Sequence, residues 1–219
     1  MKIILTGATG FVGNGVLWEC LSDKSITKVL SVGRRPLGIS HPKLEEYIVP
    51  NFLTLKDSDE KLQGYDACLY CAGISSVGMG EAEYTRITYD TTLRFAHALL
   101  PAPRMTFIYV SGAGTSSAET GMMWARVKGK TENDLMKLPF GRSYMFRPGL
   151  MKARAEQTTI PKMQKVLKCL YPVLKVLMPG TASTMEQVGK AMIEAASKGS
   201  DKRVMEVRDI NALAERRQG

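Results

Sequence analysis

The sequence predicts an α/β protein: a doubly wound parallel sheet with helices on both faces and a small C-terminal helical extension. Three observations lead there. A strand-like run at the N-terminus passes through a glycine-rich turn into apolar positions of helical spacing. Further short apolar runs alternate with helical patterns along the chain, the order that gives parallel sheets covered on both faces. Small, glycine-containing or basic residues follow the strand ends, where ligands sit in such sheets.

The first strand is Lys2-Ile3-Ile4-Leu5, and it runs directly into Thr6-Gly7-Ala8-Thr9-Gly10-Phe11-Val12-Gly13. Val16, Leu17 and Cys20 then mark a helix. Strand, glycine turn, helix is the context in which a glycine motif becomes a dinucleotide-binding hypothesis. Gly7 permits the tight turn, Gly10 lets backbone approach a pyrophosphate, and Gly13 lets helix and strand pack closely. Unpaired N–H groups and the positive end of the helix then face the phosphates.

Thr27 to Val32 reads as the second strand, ending in Gly33-Arg34-Arg35-Pro36. An acidic residue at this strand tip would bind the ribose 2′-hydroxyl of NAD, whereas arginine accommodates the 2′-phosphate of NADP. The tip holds two arginines and no acid, so the cofactor expected is NADP(H) in preference to NAD(H). A guanidinium grips phosphate with two parallel charge-assisted hydrogen bonds. Glu45 to Val49 reads as the third strand, followed by Pro50-Asn51-Phe52. Asp66 to Cys71 reads as the fourth, opening into Ala72-Gly73-Ile74-Ser75-Ser76, where small residues leave room for a ribose. A helix over Glu83 to Leu100 is stopped by Pro101 and Pro103. Thr106 to Val110 is the fifth strand, ending at Ser111-Gly112-Ala113-Gly114. A helix from near Met122 carries Trp124 and Lys128. Ser143 to Phe146 is the sixth strand, followed by Arg147-Pro148-Gly149.

The tail departs from this alternation. Residues 150–182 read as a basic amphipathic helical segment over or beside the cleft. Within it, Lys162, Lys165, Lys168 and Lys175 alternate with apolar residues up to Met178, and Pro172 splits the run. Four readings are open for 162–178: a lid, a homodimer surface, a helix lying on an anionic membrane, or a surface helix with its apolar face in the core. Thr184 to Ser197 is a further helix and Val204 to Val207 a short strand.

At 219 residues with 44% hydrophobic and 23% charged residues, the chain is expected to be one domain with a sizeable core. No apolar run spans a bilayer. A core strand at the N-terminus is incompatible with a cleaved signal peptide, so a cytoplasmic location is expected. The net charge of +9 points to an acidic partner: a phosphorylated cofactor, an anionic substrate or a membrane surface. No nucleic-acid motif accompanies it, so no nucleic-acid partner is expected. Cys20, Cys68, Cys71 and Cys169 read as reduced thiols. Cys68 and Cys71 lie three apart in a strand, on opposite faces, and no metal site is expected.

The combination TGATGFVG, GRRP, YVSGAG, WxxxK and FRPG resembles the extended and atypical short-chain dehydrogenase/reductases, among bacterial proteins labelled NAD-dependent epimerase/dehydratase. The resemblance is strong over Met1 to Gly149 and loose beyond. It implies a Rossmann fold and nucleotide binding. It puts Ser111 at the position that fixes the substrate oxygen and Lys128 at the position that holds the nicotinamide ribose. Trp124 stands where the proton-transferring tyrosine stands, and tryptophan is usual in the subgroup with MWARVKGKTE. An indole N–H donates but does not ionise, so it cannot act as the general acid; Tyr84, Tyr89 and Tyr144 are the tyrosines considered as substitutes. Asn51 occupies a position usually acidic, beside the adenine.

The expected cofactor ligands are therefore Thr6, Gly7, Thr9, Gly10, Phe11, Val12, Gly13, Arg34, Arg35, Asn51, Phe52, Cys71, Ala72, Gly73, Ser111, Lys128, Arg147, Pro148 and Gly149. Ser111, Trp124 and Lys128 form the expected catalytic group. The leading function is an NADP(H)-dependent oxidoreductase or epimerase-like enzyme acting on a small molecule. The alternatives are an NADP(H)-sensing binding protein and a membrane-surface accessory.

Overall fold

A computed structural model describes residues 1–154, 156–157 and 180–217. Its centre is a seven-stranded, wholly parallel sheet of β1 (Lys2–Thr6), β2 (Lys28–Gly33), β3 (Leu44–Ile48), β4 (Ala67–Tyr70), β5 (Ala102–Val110), β6 (Phe140–Arg147) and β9 (Val204–Glu206). The spatial order is β3-β2-β1-β4-β5-β6-β9, so the winding reverses between β1 and β4. Such a switch point opens a crevice at the carboxyl ends of the strands. A separate two-stranded parallel pair joins β7 (Leu150–Lys152) to β8 (Ala182–Thr184).

Alternation along the strands divides the core. Ile3, Leu5, Leu69 and Ile108 point to one face, where they meet Val16 and Leu17 of α1 (Phe11–Ser22), Met185 and Val188 of α5 (Met185–Ser197) and Ile210 of α6 (Val207–Arg216). Ile4, Cys68, Tyr70 and Phe107 point to the other. There they pack with Phe95 and Leu99 of α3 (Thr91–Leu99) and Leu135 of α4 (Met123–Leu135). Burial of such side chains contributes roughly 1.5–3 kcal/mol each. Cys68 and Cys71 fall to opposite sides, as their spacing predicts, and Cys20, Cys68 and Cys71 are free thiols.

The helix expected over 83–100 begins earlier and is not uniform. α2 (Glu81–Thr85) passes into a π-helical turn at Arg86–Asp90 before α3. The β7–β8 pair, α6 and two single-turn 3₁₀ helices at Phe52–Thr54 and Glu60–Leu62 escape the sequence reading. The amphipathic run 162–178 and Cys169 lie outside the described residues. Among the described residues, no helix is long and apolar enough to cross a membrane and no histidine, cysteine or acidic cluster is arranged to hold a metal.

Candidate functional site

The glycine turn is built as tightly as its sequence implies. Gly7 has φ of +71°, and a Cβ on it would sit 2.6 Å from backbone atoms of Cys71 and Ala72. The turn closes with Gly10 N–H donating to Gly7 O at 2.8 Å. Gly10 is the N-cap of α1. A Cβ on Gly13 would approach Gly7 O to 2.2 Å, so α1 rests directly on the turn. Thr6 lies below, fully buried, where its Oγ1 accepts from Cys71 N–H at 3.2 Å and Ala72 N–H at 3.1 Å. Thr6 thus clips the ends of β1 and β4 together and lies outside the cleft lining.

A cleft of about 510 Å³ opens above this turn. Of the residues the sequence nominates, Gly7, Thr9, Gly10, Arg34, Arg35, Asn51, Phe52, Cys71, Ala72 and Gly73 line it. Arg34 and Arg35 are exposed and make no ion pair among the described residues. Asn51 Oδ1 accepts from Leu53 N–H at 3.0 Å, capping the 3₁₀ turn that presents Phe52. The Phe52 ring packs on Phe95 with centroids 4.9 Å apart and forms a buried floor. Phe11, Val12 and Gly13 belong to the first turn of α1 and sit beside the lining. The remaining wall is one the sequence reading missed: Glu83, Arg86, Ile87 and Thr91, all on the α2–α3 segment.

Ser111, Lys128, Arg147, Pro148 and Gly149 come together at the ends of β5 and β6, outside this lining, with geometry that departs from expectation. Ser111 is buried and its hydroxyl donates to Glu132 Oε1 at 2.5 Å, so its proton is directed inward. Glu132 is fully buried on α4, one turn beyond Lys128. Arg147, expected as a cofactor ligand, is instead the counter-charge of that carboxylate. Its Nε donates to Glu132 Oε1 at 3.1 Å and its Nη2 to Oε2 at 2.5 Å. Its remaining donors reach Glu206 at 3.0 Å and Ser117 Oγ at 2.6 Å. A buried carboxylate needs this pairing because its isolated charge is prohibitive in an apolar interior. Lys128 Nζ donates to the Ser111 carbonyl. Burial pushes the Lys128 ammonium below its ordinary pKa, and the Glu132 charge offsets part of that.

Trp124 stands one turn before Lys128, half-buried, its ring against the loop after β5. A Cβ on Gly114 would come within 3.1 Å of the indole, so the glycine makes room for the ring. Pro148 O accepts from Ala113 N–H at 2.9 Å, and Gly149 packs on Thr181 O. None of the three tyrosines considered as substitute acids lines the cleft. Tyr84 is buried, the Tyr89 hydroxyl donates to Asp134 Oδ2 at 2.7 Å, and the Tyr144 hydroxyl bonds the backbone of Ser200.

No family model matches the chain. The mitochondrial protein FMP52 of Meyerozyma guilliermondii is 28% identical over 157 residues, covering 71% of this chain and 67% of that protein. Rat protein HTATIP2 is 26% identical over 153 residues, covering 68% of this chain and 62% of its own length. Among solved structures, MoeE5 in complex with UDP-glucuronic acid and NAD superposes with a TM-score of 0.68 at 16% identity, covering 99% of this chain and 82% of that one. The UDP-N-acetylglucosamine 4-epimerase from Methanobrevibacter ruminantium gives 0.66 at 19% identity, covering 98% and 80%. The chain has a Rossmann-type α/β fold, shared with these solved structures. The resemblance drawn from the glycine turn and WxxxK is therefore matched in three dimensions by a Rossmann fold of this type. The expected cytoplasmic location is corrected: FMP52 is a protein named mitochondrial. Composition and an N-terminal core strand do not distinguish one aqueous compartment from another.

Proposed function

We propose that the cleft binds a nicotinamide dinucleotide, NADP(H) in preference to NAD(H), and that the protein is an oxidoreductase or epimerase-like enzyme using it. The observation that carries this reading is one cleft bordered by both the glycine turn of α1 and the arginine pair at the tip of β2. The first backbone N–H groups of α1 have no intrahelical acceptor and favour a diphosphate. Gly73 fits as well: it borders the cleft with open space around it, and a side chain there would take up that space. Arg34 and Arg35 would hold the 2′-phosphate, and Phe52 with Ile87 would flank the adenine. MoeE5 is a relative in fold that binds NAD. When bound, the nicotinamide supplies or accepts a hydride.

Isothermal titration of nucleotide-free protein with NADPH and NADH tests this reading. Charge-assisted hydrogen bonds are worth about 1.5–3 kcal/mol, or roughly 10- to 150-fold in affinity. Arg34→Gln is expected to weaken NADPH by about that factor and leave NADH within about twofold. Equal weakening of both would remove Arg34 from the 2′-phosphate.

A second reading is favoured by the far end of the site. With Ser111 turned onto Glu132, Trp124 in place of a tyrosine, and Tyr70, the one tyrosine of the lining, buried in the core, no exposed ionisable hydroxyl stands there among the described residues. General acid–base catalysis is typically worth about 10²–10⁴ in rate. On this reading the protein binds NADP(H) as a sensor. Binding of NADPH without turnover across a panel of carbonyl compounds would favour the sensor; steady oxidation of NADPH with any of them would favour the enzyme.

A further inference from the structure

The helical wall of the cleft carries a cation that the sequence motifs do not point to. We propose that Arg86 is a third phosphate ligand, closing on the adenosine 2′-phosphate that Arg34 and Arg35 hold at the tip of β2. The inference rests on the NADP(H) reading of the cleft.

The helix between β4 and β5 is built to present this residue. Around an α-helix, positions five apart point about 140° away from each other. Arg86 and Thr91 are five apart, yet both line the cleft. The π-helical turn at Arg86–Asp90 explains this. Thr91 N–H donates to Arg86 O, an i to i−5 bond, and Thr91 Oγ1 donates to the same carbonyl at 3.0 Å. The wider turn brings Arg86 nearly over Thr91, onto the face that looks into the site. Single π turns inside α-helices occur frequently at functional sites. Thr91 itself stands one turn from Phe95, which packs under Phe52, so this face rises from the floor on the adenosine side.

The charges around Arg86 leave it available. Arg94, further along the same helix, pairs with Asp57 at 2.7 Å, and Glu81 is taken by Arg126 at 2.7 Å. Asp90, four residues on, would pair with Arg86 in a regular α-helix; across the π turn it does not, and Arg86 has no ion pair among the described residues. Among the described residues, three arginines and one carboxylate, Glu83, are the charged groups lining the cleft. That balance suits a ligand with phosphate at its adenosine end as well as in its diphosphate.

The test uses fragments that differ by the one phosphate: 2′,5′-ADP and 5′-AMP, titrated into the whole protein. Arg86→Gln is expected to weaken 2′,5′-ADP at least tenfold and 5′-AMP less than twofold, with part of the loss recovered by Arg86→Lys. Because Arg86 is exposed, both variants should melt with the wild type. Equal weakening of both fragments, or no weakening of either, overturns the assignment. Wild-type protein that does not prefer 2′,5′-ADP would overturn the NADP(H) reading itself. Preference lost in Arg34→Gln but kept in Arg86→Gln would overturn this inference alone.

Discussion

Glu132→Gln isolates the buried network that holds Ser111. The wild-type carboxylate is fully buried and accepts from Ser111 Oγ and from Arg147 through Nε and Nη2. A carboxamide keeps one acceptor oxygen and places an NH₂ where the second oxygen stood. That donor then faces another donor, Arg147 Nη2 or Nε, and the guanidinium loses its buried counter-charge. Removing one partner of a buried pair typically costs about 3–5 kcal/mol. Here the guanidinium retains the partly exposed Glu206 at 3.0 Å and Ser117 at 2.6 Å, which places the expected loss at the lower end. A loss of about 3 kcal/mol corresponds to roughly 6–12 °C in melting temperature for a chain of this size. Urea denaturation followed by circular dichroism at pH 7 reads it directly. Replacing both partners, Glu132→Leu with Arg147→Met, is expected to recover most of the loss, because two apolar side chains leave no unpaired charge. A single variant within about 1 kcal/mol of wild type would refute the claim that Glu132 is the buried counter-charge of Arg147.

Two further perturbations probe other levels of the structure. Gly13→Ala drives a Cβ into Gly7 O, a backbone atom that cannot rotate away. It is expected to cost about 1–3 kcal/mol and to abolish NADPH binding by displacing the turn; unchanged titration curves would contradict this. Asp134 is pushed up by burial, but hydrogen bonds from Lys137, Lys130 and Tyr89 outweigh that and hold its carboxyl below the ordinary range. Its stabilisation is therefore present above the unfolded carboxyl pKa and lost as pH falls through the lower folded value. Asp134→Asn should lower the urea midpoint at pH 7, with the gap narrowing below about pH 4. A gap that stays constant with pH would show that the hydrogen bonds, and not the charge, matter.

What was legible in the sequence follows from what local physics controls. Most strands of the central sheet were readable as short apolar runs bounded by turn residues, the edge strand β3 with its exposed Glu45 and Glu46 being the exception in composition. The glycine turn was readable because its requirements are steric and local. β7, β8 and α6 were not. The first two are three-residue strands that pair only with each other across a long separation, and α6 starts directly from the end of β9. At the site, the glycine turn and the arginine pair reach the cleft as expected because strand order alone carries them there. Arg147 illustrates the opposite case. From sequence it is a cation after a strand end; only the fold shows Glu132 beneath it. Arg86 was hidden for a related reason, because regular helical phase turns it away from Thr91. The one local signal for Glu132 was its place four residues after Lys128 and three before Leu135, on the buried side of α4.

The same network bears on what a single substitution at Trp124 can restore. Trp124→Tyr returns an ionisable hydroxyl to α4, one turn before Lys128, and partial desolvation of Lys128 is the setting in which a lysine perturbs a neighbour's proton affinity. A tyrosine acting alone would be expected to bring up to the 10²–10⁴ of general acid catalysis. Two features oppose that outcome. Lys128 Nζ is engaged by the Ser111 carbonyl, and the Ser111 hydroxyl that would fix a substrate oxygen is donated to Glu132. Proton transfer requires the substrate oxygen within about 3 Å of the acid, so geometry limits the gain before pKa does. Trp124→Tyr is therefore expected to raise NADPH-dependent carbonyl reduction by less than about tenfold, with NADPH affinity unchanged. A gain of about a hundredfold or more, the lower bound for a working acid, would mean that Ser111 leaves Glu132 when substrate arrives. The inward geometry would then be a resting state of an enzyme, and the sensor reading would fall.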